Sequence, residues 1–548
     1  MKATDLRVVA EACDAVLNSH DTPLEWVAIP WLHVIYAHPV FLRAYRSVAL
    51  QLAGGGAAGR PTVASYLRAA QLEMRRWAGV ARDIERSALR TATAQKTEQK
   101  PLGAACSRLT QADVLIVSWL LEPDNLHRHE DFYFGPLQDM LTGLGASSLL
   151  VLRNQSGHQA ARMLSSAFRP GPAGRVMLPD TGGLASELRL VRRCRTVRRM
   201  LRETAARTED SRTRIVLREA ARHAVSSPTI ANLRLHDQIR SLCTYVRPRV
   251  VLTLYEGHAW ERCVWHAARQ VDPMVLCAGY QHSTVWDHTH ALKRSLLPEN
   301  GAYNPDFILT FGDVTRERLQ ADPRLAGTRF LTLGTHRRPA TRIPSHLGPH
   351  LDGRRRPPVV VVLPDGTLSE TELLFAFACE CAKKLPNTKF VLRSHPVLAF
   401  ARVARRVPCV RQLPANVEFS REQHIATDFE RAGYCLYRGS STVFHAILAG
   451  VKPFYVRLPD ETSIDPLEGL SGWRQHVNSP DEFARAWTED QGHPEASARQ
   501  SWEQAHAHCD RYMVPLGKEA LAEFVEAAGL VSPRAVRQRL GIDCSYQQ

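Results

Sequence analysis

Glu256 closes the apolar run of "RVVLTLYEGHAWE" and is followed by Gly257, and His282 closes the next run in "MVLCAGYQHS". A carboxylate or an imidazole where a strand turns into a loop is well placed to take a proton from an incoming hydroxyl. Each has a structural reading beside it: an acid in a helix first turn for Glu256, a loop hydrogen bond for His282. A second set follows three later apolar runs: Asp365 and Gly366 after "VVVVLP", Arg393, Ser394, His395 and Pro396 in "LRSHP", and Arg438, Gly439, Ser440 and Ser441 in "LYRGSS". Positive charge, hydroxyls and a free helix start suit an oxyanion such as phosphate. Asp365 reads equally well as a turn residue. Pro396 stiffens the chain behind His395 and keeps that residue out of helix. In "YRGSSTVFHAILAGVKPFYV" one serine suffices to cap the helix, so the second hydroxyl is left over; Gly450 and Pro453 end that helix, and His445 sits one turn into it.

The elements that must position these residues are legible as texture. From about residue 110 the chain alternates short apolar runs ("ADVLIVSW", "SSLLVLRN", "RVVLTLY", "PMVLCAGY", "DFILTFG", "FLTLG") with helix-like segments, and an arginine-rich helical insertion separates the second run from the third. Runs that are apolar throughout, with helices between them, predict a parallel sheet covered on both faces. The same texture resumes with "VVVVLPDG", "TKFVLRSHP", "GYCLYRGSS" and "VKPFYVRLP". The division expected is a helical N-terminal region over 1–105, a Rossmann-like acceptor unit over 106–340, a linker over 341–357 rich in Pro, His and Arg, and a Rossmann-like donor unit over 358–548 with terminal helices. In the first region Leu67, Ala70, Met74, Trp77, Ala81, Ile84 and Ala88 recur at helical spacing and predict a packing stripe. Two doubly wound α/β units leave a central cleft, and ligands of such sheets bind beyond the carboxyl ends of the strands.

Composition narrows the function. The chain has 548 residues, 44% hydrophobic and 23% charged, and no apolar run approaches the length of a membrane span. Its start, "MKATDLRVVAEACDAVLNSHD", lacks the apolar core of a secretory signal, so a cytoplasmic location is expected. The twelve cysteines are scattered and lack zinc-site spacing, which predicts buried thiols and no metal. A net charge of +15 fits anionic lipid, phosphorylated substrates or nucleic acid. Much of it lies in "ELRLVRRCRTVRRMLRETAAR", where Leu188, Val191 and Leu201 fall near one face and arginines cover the rest, the pattern of a solvated basic face. The arginine-rich helices lack the interleaved aromatics of a single-strand groove, so nucleic acid is not expected as a partner. There is no Walker loop, dinucleotide fingerprint or HExxH.

The order of "RSHP" and "GSS…AILAGVKP" within two Rossmann-like halves resembles bacterial glycosyltransferases of the GT-B fold, above all surface-polysaccharide enzymes that use cytidine nucleotides: sialyl-, polysialyl- and Kdo transferases and CDP-glycerol polymerases. "DFYFGPL", "YEGHAWE" and "YRGSS" further resemble surface carbohydrate biosynthesis proteins, and together the resemblance covers most of residues 110–480. It implies a metal-independent transferase with no cofactor, moving a sugar from a nucleotide donor, a CMP-activated nonulosonate or Kdo-like acid, to a glycan or lipid-linked acceptor. His395 with Pro396 and Ser440 with Ser441 would hold the donor phosphate, with Asp365, Gly366, Arg393 and Arg438 around it; Glu256 or His282 would be the base. Peripheral contact with anionic membrane goes with such an acceptor. The sequence departs from the family where an acid-Asp-Gly motif is approximated only by Glu256-Gly257, where "QHS" stands for a "WHG"-like setting, and at His445, where many relatives carry a ribose-binding glutamate. The rivals are a CDP-polyol phosphotransferase, a UDP-sugar transferase or epimerase on the same fold, and a basic nucleic-acid-binding protein.

Overall fold

The computed structural model describes residues 3–19, 22–34, 44–53, most of 71–88, 110–156, 163–296, 298–338, 356–395, 398, 400–459, 461–492 and 498–540. Seven strands form the first sheet: β1 (Val114–Leu120), β2 (Ser148–Asn154), β3 (Ala173–Met177), β4 (Val250–Leu254), β5 (Leu276–Gln281), β6 (Phe307–Thr310) and β7 (Arg329–Thr332). They are all parallel, in the order 3-2-1-4-5-6-7, with Val114 opposite both Ser148 and Val250. Six more form the second: β8 (Val359–Leu363), β9 (Lys389–Leu392), β10 (Val417–Phe419), β11 (Tyr434–Tyr437), β12 (Lys452–Val456) and β13 (Gln475–Val477), parallel in the order 10-9-8-11-12-13. The expected pair of Rossmann-like α/β sheets is therefore present. In each, the strand order reverses beside the first strand, between β1 and β4 and between β8 and β11, which is where an open sheet leaves a crevice for a ligand.

Ahead of β1 and in the long crossover from β3 to β4 the chain is helical. Helix α1 (Ala3–Leu17) packs with α2 (Leu184–Arg207), α3 (Ser211–Ala224) and α4 (Ser227–Val246) around one apolar core that includes Leu6, Val9, Leu17, Val197, Leu217 and Leu233. The N-terminal arm and the arginine-rich insertion are thus a single helical layer. On α2 the buried face is Leu190, Val191, Cys194, Val197 and Leu201; Leu188 is 39% exposed rather than inward. Arg189, Arg192, Arg195, Arg199 and Arg202 are exposed, as a solvated basic face requires. Of the expected stripe, Leu67 and Ala70 lie outside the described residues, Trp77 and Ile84 pack against that core, and Met74 and Ala81 face solvent while Val80 is buried, so the inward face is partly the expected one and rotated toward Val80.

Three helices start at strand ends that carry candidate residues: α5 (Ala259–Val271) after β4, α6 (Leu368–Lys384) after β8 and α7 (Thr442–Leu448) after β11. Residues 339–355, which hold nearly all of the expected linker, lie outside the described residues. The terminal helices α8 (Ala498–Tyr512), α9 (Lys518–Ala527) and α10 (Pro533–Leu540) cross back to the first sheet instead of completing the second. Val514 donates its N–H to the Phe311 carbonyl at 3.0 Å, Thr335 donates to the Val514 carbonyl at 2.7 Å, and Phe524 meets Phe307 edge-on at 5.5 Å. Helix α8 also touches the second unit, with Tyr512 stacked on Phe444 of α7 at 4.3 Å. The physical reason is apolar area: one face of α8 and α9 buries Trp502, Cys509, Tyr512, Phe524 and Val525 in the core that holds β6 and α7.

Candidate functional site

Beyond β4 the chain turns through Gly257 at φ +84°, where a Cβ would stand 2.5 Å from the Ala291 carbonyl carbon. Only glycine fits there. The turn is fixed by Glu261 of α5, whose buried carboxylate accepts the N–H groups of Glu256, Gly257 and His258 at 2.9, 2.9 and 3.0 Å. Burial pushes the Glu261 carboxyl well above the usual range despite those bonds. The Glu256 side chain itself keeps 22% of its surface exposed.

Two histidines hold the Glu256 carboxylate. His258 Nε2 lies 3.0 Å from Oε2 and His282 Nε2 lies 3.8 Å from Oε1. Burial alone would raise the Glu256 pKa, but the His258 hydrogen bond, the charges of His282 and His258 and the Ser283 hydroxyl together hold it at about 2. Burial lowers His282 to about 4 against the pull of Glu256, so at neutral pH the pair is a carboxylate beside a neutral ring. Both nitrogens of His282 face acceptors, since Nδ1 is 3.4 Å from the Tyr280 carbonyl oxygen. Glu256 is therefore the better placed of the two sequence candidates to accept a proton from outside. Glu256 and His282, 26 positions apart, are brought together because β4 and β5 are neighbours in the sheet.

The wall behind them comes from β1. Asp131 in "DFYFGPL" accepts the N–H of Tyr133 at 2.8 Å, that of Phe134 at 2.9 Å and the Ser118 hydroxyl at 3.0 Å. This knot sets the Tyr133 ring edge-on to His282 at 4.7 Å, and Trp119 meets His258 at 5.7 Å. Arg337, beyond β7, lies with its guanidinium carbon 5.9 and 5.7 Å from the Phe132 and Tyr133 rings and donates to the His282 carbonyl oxygen at 3.2 Å. Its charge also acts on His445 of α7, which burial first and Arg337 second lower to about 4. Arg337 thus sits among residues of the first unit with its charge felt by α7 of the second.

In the second unit β9, β8 and β11 are adjacent, so the three sequence-derived corners lie side by side. Asp365 accepts the Thr367 N–H at 2.7 Å as a turn residue does, and its charge opposes the fall in the His395 pKa that burial causes. Gly366 and Gly439 are half-buried in these turns, and Pro396 lies outside the described residues. Ser440 is 5% exposed and Ser441 is exposed at the start of α7, where its side chain makes no capping bond. Capping thus explains neither hydroxyl.

Two expected anion ligands are otherwise engaged. Arg393 donates to Asp428 at 2.6 Å, to Ser420 at 3.1 Å and to the carbonyls of Glu422 and Gln423, and so holds the loop after β10. Arg438 is 2% exposed and bridges Glu370 at 2.6 Å, Glu461 at 2.8 Å and the Val456 carbonyl. Both guanidiniums neutralise buried or half-buried carboxylates rather than face the crevice. Arg337, Tyr133 and His258 are the neighbours that sequence reasoning missed; Arg337 falls at the very end of the expected acceptor unit, just ahead of the Pro-, His- and Arg-rich stretch. Among the described residues no group of three His, Cys, Asp or Glu side chains has the spacing to hold a metal ion, and all ten described cysteines are unpaired thiols.

No protein-family model matches the sequence, and no curated protein is significantly similar to it. Solved structures resemble it in outline. The glycotransferase of kitacinnamycin is 14% identical over 77% of this chain and 99% of that one, with a TM-score of 0.42. The glycosyltransferase SnogD from Streptomyces nogalater is 15% identical over 77% and 100%, with a TM-score of 0.41. The UDP-GlcNAc 2-epimerase from Neisseria meningitidis, solved with UDP-GlcNAc, is 11% identical over 76% and 99%, with a TM-score of 0.42.

Proposed function

We propose that this protein is a glycosyltransferase of the GT-B type that takes a nucleotide sugar as donor and a glycan or lipid-linked glycan as acceptor. The observation that carries this reading is the Glu256 carboxylate, held ionised by His258 and His282 at the crevice of the first sheet and partly open to solvent. An acceptor hydroxyl placed against Glu256 loses its proton to it as the oxygen attacks the anomeric carbon. The departing nucleotide phosphate is received at the corner of the second unit, by the Ser440 and Ser441 hydroxyls and His395. His258 and His282 orient the carboxylate, and Tyr133 keeps water from one side of the pair.

The donor we propose is a CMP-activated nonulosonate or Kdo-like acid, on the strength of the "RSHP" and "YRGSS" motifs. The experiment is nucleotide release from CMP-, CDP- and UDP-linked donors by wild type and Glu256→Gln. CMP release that Glu256→Gln abolishes supports the whole reading. UDP release alone overturns the cytidine assignment, release by Glu256→Gln at the wild-type rate overturns the base, and no consumption of any donor overturns glycosyl transfer. The basic face of α2 supports contact with anionic lipid during work on a lipid-linked acceptor.

A further inference from the structure

An oxyanion at the junction of the two units needs positive charge, and Arg393 and Arg438 are committed to Asp428, Glu370 and Glu461. Arg338, the next residue along from Arg337, is likewise paired, with Asp510 at 2.6 Å. Arg337 differs. Among the described residues it has no carboxylate partner; its guanidinium contacts are the His282 carbonyl oxygen and the Phe132 and Tyr133 rings, while its backbone N–H donates to the Thr335 hydroxyl. Those contacts hold the planar guanidinium in place and leave most of its N–H donors unengaged, the state of an arginine prepared for a forked anion. Phe132 beside it is 36% exposed, so the place is open. The charge of Arg337 reaches His445 of α7, which stands four residues beyond Ser441 and so on the same face.

We propose that Arg337 is the oxyanion-binding residue of this junction, taking a phosphate of the nucleotide or a carboxylate of an acidic sugar between its guanidinium and the Ser441–His445 face of α7. The assignment deepens the glycosyl-transfer reading and rests on it for the class of substrate. It moves the cation for the substrate from the second unit, where the sequence motifs put it, to the first. It also couples the units: an anion held from both sides favours the arrangement in which both contribute.

The test is calorimetric titration of the full chain, wild type, Arg337→Gln and Arg337→Lys, with pyrophosphate, CMP and glucuronate. Arg337→Gln is expected to weaken at least one probe tenfold or more, with Arg337→Lys between it and wild type because the charge stays and the fork is lost. Loss confined to pyrophosphate and CMP names the nucleotide phosphate as the ligand, and loss confined to glucuronate names the sugar carboxylate. Equal binding by wild type and Arg337→Gln, or no binding of any probe by wild type, overturns the proposal; should Arg337→Gln not fold, wild-type affinity in Arg337→Lys for all three does the same. Unchanged probe binding in Arg337→Gln with transfer lost in Glu256→Gln overturns this assignment alone. Weakened probe binding in a protein that consumes no nucleotide sugar leaves the anion site standing and removes glycosyl transfer.

Discussion

Glu256 keeps part of its surface in solvent while two histidines hold its charge, and Arg438 has almost none in solvent while two glutamates hold its own. The consequences of removing them differ accordingly. Glu256→Gln should lower the rate of transfer by about 10²–10⁴, the usual worth of a positioned base, with nucleotide affinity unchanged in an equilibrium titration. Arg438→Met should act on stability instead, because it strands the buried Glu370 carboxylate; a loss of about 3–5 kcal/mol in urea unfolding is expected. Residue type and strand-end position made Glu256 and His282 legible in the sequence. They could not reveal that Arg393 is matched by Asp428, 35 positions on, or Arg438 by Glu370, 68 positions back, since both partners arrive on other elements. Arg337 escaped for the converse reason: nothing local marks an arginine that lacks a partner.

At the scale of elements, the turn after β4 does the positioning. Gly257→Ala puts a Cβ into the Ala291 backbone at a φ that favours glycine, so it should destabilise by more than about 1 kcal/mol and rotate Glu256 away from His282. The measurable outcome is a lower melting temperature together with a loss of transfer comparable to Glu256→Gln. The apolar strands β1, β2, β4, β5, β6, β8, β9, β11 and β12 were readable because both faces are covered, and so was the apolar run of edge strand β7. Edge strands β3, β10 and β13 were not, being three to five residues long with Arg175, Glu418 or Gln475 in them. The helices of 184–246 were readable as helices, but their pairing with α1 depends on a core between distant segments.

For the molecule as a whole, buried and half-buried histidines set the response to acid. Burial holds His266, His282, His290, His336, His445 and His508 at about 4, below the ordinary value near 6.5. Between those two pH values the unfolded chain binds protons that the folded chain refuses, so stability should fall steadily as pH drops from about 6.5 to about 4. Glu256 adds a later loss: its stabilisation is complete above about 4.5 and disappears as pH approaches about 2. Urea midpoints measured at pH 7, 6 and 5 should decline in that order, and a flat series would contradict the neutral state of these rings in the folded protein. The crossing of α8 and α9 back to β6 and β7 has a consequence for how the chain is made. A ribosome releases the first sheet long before it has synthesised residues 498–540, so Phe307 and the neighbouring apolar side chains wait uncovered while the entire second unit emerges. The nascent first half is a sticky intermediate by design of its connectivity, and a gene cut after β7 should yield aggregates rather than a working half.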